Sequence, residues 1–115
     1  MSSPLNPATL TELQGILGDD LFDITDLFAQ QVPAELDALA ASVQAADWPQ
    51  VARAAHALKG SCGNVGAVAL SQWAGGVEVS ARAGHSAAVQ AVLDEAPPLL
   101  TQTLAAMRAS GFLRG

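Results

Sequence analysis

The chain has 115 residues, half of them hydrophobic but only 4% aromatic, with no Tyr and a formal net charge of −6. An Ala-rich apolar set without runs of β-branched or aromatic residues favours helix over sheet, and the length suits one domain, 1–115, built on a single core. The five Lys and Arg are scattered, which removes the positive footprint that nucleic acid or an anionic membrane surface requires.

Cys62 stands alone, so no intrachain disulfide can form and a thiolate metal site is disfavoured. The apolar stretches are too short and too interrupted to span a bilayer, and no basic-then-apolar leader opens the sequence. The chain is therefore expected to be cytoplasmic.

The first residues, through Pro4, read as a loose end. Asn6-Pro7 starts a short helix, Asn6 as cap and Pro7 at the first helical position, running to Leu17 with Gly18 as its stop. Asp19 or Asp20 caps the next helix. Its apolar residues Leu21, Ile24, Leu27, Phe28, Val32, Leu36, Leu39 and Val43 keep the three-and-four spacing of one buried face. Pro33, inside that pattern, removes a backbone donor and should kink or break the helix. Asp19, Asp20, Asp23 and Asp26 lack the central Gly and closing Glu of a calcium loop and are better read as capping and helix-dipole residues.

Asp47-Trp48-Pro49 begins a third helix that extends to about Asn64, with Gly66 as its stop. A fourth runs from about Ala67 to Ala83 and ends at Gly84. Ser86 caps a last one reaching Ser110, with Pro97-Pro98 in its middle as either a kink or a split. Short connections between amphipathic helices give an all-α, antiparallel up-down four-helix bundle over about residues 20–110, with the short N-terminal helix in addition.

The chemistry concentrates in residues 53–67, Arg-Ala-Ala-His-Ala-Leu-Lys-Gly-Ser-Cys-Gly-Asn-Val-Gly-Ala. On a helix, Val51, Ala55, Leu58 and Cys62 form the core stripe, and His56 points roughly 130° away from it, toward water. Its neighbours at helical spacing are Ala52, Lys59, Gly60 and Gly63. A glycine in a helix body costs about 1 kcal/mol relative to Ala. Two of them on the outer face are explained by clearance for a partner surface and for a bulky phosphoryl group, or else by a helix break. Lys59, one turn on, can compensate the negative charge of such a group.

Ser61 is expected to bond its own backbone, Cys62 to fill the core, and Trp48 and Trp73 to pack between helices. His85 reads as a solvated turn residue. Glu78 and Arg82, four apart, read as a modest surface pair.

The run His56-Ala57-Leu58-Lys59-Gly60-Ser61, followed by Gly66-Ala67 at a turn, resembles the signature of histidine phosphotransfer domains. Val77-Glu78, Arg82 and Gly84 resemble that family's later Leu-Glu and Arg-x-Gly positions, and the likeness extends from about Leu21 to Arg108. Cys62 and Gly63 depart from it, since the family often has Ser, Ala or another small residue there, which bears on the docking surface. The resemblance implies a four-helix bundle with His56 as phosphoacceptor, Lys59 as supporting cation and Gly60 as the gap admitting the partner. It further implies a phosphorelay carrier exchanging a phosphoryl group with receiver domains of response regulators or hybrid sensor kinases, with Mg²⁺ supplied by the receiver and no cofactor of its own.

Docking is expected over Ala52, Gly60 and Gly63, and the chain is taken to act as a monomer. No Gly-rich phosphate cradle with Lys-Ser or Lys-Thr is present, so kinase activity toward ATP is not expected. One rival is a helical module that binds or inhibits a receiver without phosphotransfer. Another is an enzyme with His56 as general base, which needs an orienting acid; none lies at helical spacing from His56.

Overall fold

The computed structural model describes residues 3–114; residues 1, 2 and 115 of the expected 1–115 domain, and with them the start of the expected loose end, lie outside the described residues. Six α-helices follow in order among the described residues: α1 Pro7–Leu17, α2 Leu21–Gln44, α3 Trp48–Asn64, α4 Val68–Arg82, α5 Ser86–Val92 and α6 Ala96–Ala109. Single 3₁₀ turns at Gly18–Asp20 and Leu93–Glu95 join α1 to α2 and α5 to α6. Among the described residues there is no strand.

Helix α3 packs most extensively on α4 and also on α2, while α6 lies against both α4 and α2, which closes a four-helix bundle around one core. Leu10, Leu21, Leu39, Leu58, Leu70 and Met107 are its largest fully buried side chains. The buried Thr25 and Thr103 satisfy their hydroxyls on the carbonyls of Phe22 and Leu99.

Helix starts follow local chemistry. Asn6 accepts from the Ala8 amide with Pro7 next in line, and Asp47 accepts from the Gln50 amide. Asp20 occupies the N-cap of α2 without a side-chain cap bond, and His85 rather than Ser86 is the N-cap of α5. Pro33 does not break α2, which runs on for 24 residues.

Pro97-Pro98 splits the last expected helix in two. The prolines sit in the first turn of α6, where their missing amides would have had no intrahelical acceptor. The expected core face of α2 is also narrower than its spacing suggested: Ile24 and Leu27 are exposed, and Thr25 is buried in their place.

The segment at Pro4 is held rather than loose. The Pro4 carbonyl accepts from Ala69, the Asn6 amide donates to Gly66 O at 2.8 Å, and Leu5 enters the core. Gly66, at φ +75°, makes this seat possible: a Cβ there would lie 2.6 Å from the Asn6 carbonyl oxygen. Ala67 beside it is fully buried. Gly66→Ala is therefore expected to destabilise the fold by about 2 kcal/mol or more, combining left-handed strain with the clash. Urea denaturation of the variant should show a lower midpoint.

Candidate functional site

Helix α3 presents His56 outward because Val51, Ala55, Leu58 and Cys62, all fully buried, fix its opposite face in the core. The imidazole side chain is 65% exposed. Its Nδ1 lies 3.0 Å from Oε2 and 3.3 Å from Oε1 of Glu78, which comes from the facing helix α4. An ionised carboxylate can only accept, so Nδ1 carries a proton, and in the neutral ring Nε2 then holds the lone pair.

Glu78 also receives Lys59 Nζ at 3.4 Å and the Arg82 guanidinium, whose Nε and terminal nitrogen lie 3.1 and 2.9 Å from Oε2. One carboxylate, its side chain only 11% exposed, thus gathers three basic groups from two helices. The hydrogen bonds from Arg82 hold its carboxyl below the ordinary value of 4.5, aided by His56 and Lys59 and opposed by burial.

The Glu78–Arg82 pair expected on the surface is therefore a buried acid and the centre of the cluster. Sequence spacing missed it because the orienting acid reaches His56 across the α3–α4 interface, 22 residues away. The Glu-then-Arg spacing marked the pair, but nothing local tied it to the histidine.

Gly75 was likewise unmarked. A Cβ there would stand 3.3 Å from Lys59 Cδ, so its bareness lets the lysine stem cross α4 toward Glu78. A glycine pair at 75–76 inside a helix was the available signal, by the cost argument already applied to α3.

Gly60 has open space where its Cβ would stand, and Gly63 faces Ser71 Oγ at 3.6 Å. Both lie within an unbroken α3, so neither breaks the helix. Ala52 is not part of the open surface: it is 3% exposed. One turn before His56 it turns toward α4, in a groove bounded by Trp48, Pro49, Ala81 and Arg82. Ser61 bonds the Ala57 carbonyl, and Ser71 Oγ donates to the Lys59 carbonyl at 3.0 Å, tying α4 to the turn after His56.

Cys62 is buried, with its thiol pushed up to about 12 by desolvation, and is chemically quiet. Trp73 is buried with its indole N–H on the Val92 carbonyl, Trp48 packs half-buried, and His85 is exposed. No group of three or more His, Cys, Asp or Glu among the described residues could hold a metal ion. No described helix is long and apolar enough to cross a membrane.

A family model for the Hpt domain matches residues 23–110. The chain belongs to the Hpt domain family. Hpt domains are phosphocarrier modules of histidine phosphorelays, and His56 lies within the matched region. Searches of curated proteins and of solved structures return no significant match.

Glu78 gives a pH signature. A carboxylate whose folded value is depressed stabilises the fold above its unfolded value and loses that contribution as pH falls through the lower folded one. In urea titrations Glu78→Gln should be less stable than the parent at neutral pH. The gap should close on acidification below 4.5, as the parent carboxylate takes up its proton. A gap independent of pH would contradict the charged network.

Proposed function

We propose that the whole chain acts as one phosphoryl-carrier domain, with His56 accepting a phosphoryl group from a receiver-domain aspartate and returning it to another receiver. The observation that carries this reading is the exposed imidazole whose Nδ1–H is engaged by Glu78, leaving Nε2 free. Nε2 attacks the phosphorus of the aspartyl phosphate in line. The new N–P bond forms as the bond to the aspartyl oxygen breaks, and the receiver leaves with a free carboxylate.

The Nδ1 proton stays on the ring. Positive charge that develops there as Nε2 becomes substituted is met by the Glu78 carboxylate. Lys59, held on Glu78 in the free chain but half exposed, swings to the incoming phosphoryl oxygens and offsets their charge. Gly60 leaves room for the receiver surface, and Gly63, bare beside Ser71, borders the same face one turn on. Any divalent cation belongs to the receiver, and the site has no group that would draw phosphate from ATP. The imidazole stands on an open surface, which suits protein-to-protein transfer better than general-base catalysis in a water-excluded pocket. A cytoplasmic, monomeric carrier is the form in which we expect this to operate.

Incubation with a phosphorylated receiver domain and Mg²⁺ should place acid-labile, base-stable label on the chain. His56→Gln should remove the label while helicity, read by circular dichroism, is unchanged. A receiver that binds but leaves no label would replace this reading with that of a non-catalytic binding module. Lys59→Ala should slow transfer about tenfold or more by removing the compensating cation.

Gly60 separates stability from function. Gly60→Ala should gain about 0.5–1 kcal/mol in denaturation, since its Cβ meets nothing. Gly60→Leu should fold normally yet slow transfer more than about tenfold by holding the receiver off the ring.

A further inference from the structure

The flank of α3 away from α4 holds a second feature that phosphotransfer chemistry does not use. Between α2 and α3 lies a groove of about 150 Å³, bordered by Leu27, Phe28, Val32, Glu35, Ser61 and Val65. Ser61 follows His56 by five residues, about 7.5 Å along the helix axis and roughly 140° around it, so the groove opens on the opposite flank of the outer face, within the breadth of a protein interface of ordinary size.

Three observations mark the groove as unfinished in the free chain. Glu35 Oε2 is shut off from water and has no hydrogen-bond partner. A buried carboxylate oxygen left unpaired is costly, and the salt bridges found among the described residues all go to Glu78. Desolvation pushes the Glu35 carboxyl up, as expected for an acid awaiting a counter-charge.

Second, Leu27 is 51% exposed and Ile24 is 38% exposed at the lip, although their spacing matches the core face of α2. Third, Asp23 lies one turn before Leu27 on the same helix, on a chain of net charge −6.

We propose that this groove receives a Lys or Arg side chain of the docked receiver domain, its aliphatic stem on Leu27, Phe28 and Val65 and its cation on Glu35. A long basic side chain supplies both halves of what the groove lacks, an apolar stem and a charged donor head. Asp23 beside the lip and the negative charge of the chain favour a partner with basic character at that edge. The identity of the partner rests on the carrier reading; the cation preference of the groove does not.

The groove is tested with n-butylguanidinium as probe and n-butanol as its uncharged control, by amide NMR on the full chain. Saturable shifts at Leu27, Glu35, Ser61 and Val65 are expected with the guanidinium, at least tenfold weaker with n-butanol and in Glu35→Gln. Equal response to both probes, or a guanidinium response that Glu35→Gln leaves unchanged, overturns the proposal.

With a receiver that labels His56, Glu35→Gln should raise the receiver concentration for half-maximal transfer about tenfold and leave the rate at saturation unchanged. Equal transfer to parent and variant overturns this proposal alone. Failure of every phosphorylated receiver to label the parent overturns the carrier reading, and the receiver as occupant falls with it. His56→Gln should bind the guanidinium like the parent, which keeps the two failures apart.

Discussion

The site depends on one buried carboxylate. Glu78 takes an imidazole and an ammonium from α3 and a guanidinium from its own helix. Three partial neutralisations of one acid cost less than three isolated ion pairs would, because the carboxylate is desolvated once and its lone pairs are all used. The arrangement locks the ring of an otherwise exposed side chain. A histidine with most of its surface in water would sample several rotamers, and the bond from Nδ1 selects one and fixes which nitrogen faces outward.

Around this acid the backbone is shaped by what is missing. Gly60 leaves the outer face bare beside the ring, Gly75 lets the Lys59 stem lie across α4, and Gly66 lets the N-terminal strap close on the α3–α4 turn. Each position gives up helix propensity or conformational entropy for a close approach that a Cβ would obstruct. The Ser71 hydroxyl on the Lys59 carbonyl adds a polar tie at the same level, so α3 and α4 present the cluster as a rigid pair.

Much of this was legible in the sequence, for identifiable reasons. The caps Asn6 and Asp47, the stops at Gly18, Gly66 and Gly84, and the outward direction of His56 are all local: a few residues and the helical repeat determine them. The joining of His56 to Glu78 was not legible, because it depends on the register between two helices, and spacing along one helix is silent about its neighbour. Ala52 went astray for the same reason. It shares a side of α3 with His56 but lies on the flank that α4 covers. In α2, periodicity marks a stripe but not its width, so Ile24 and Leu27 counted as core and Thr25 did not. The prolines at 97–98 were visible as a disruption, while the choice between bend and restart depended on how α5 and α6 each pack on α4.

The strap that runs from Pro4 to Asn6 has a mechanical consequence. Its two backbone bonds end on Gly66 and Ala69, at the junction where α3 hands over to α4. Force applied ahead of residue 4 therefore reaches the base of the helix pair that holds the imidazole through these bonds, as well as α1 through the chain. Peeling the strap away would uncover Leu5 and relax that junction, which couples the strap to the stiffness of the helix that carries His56.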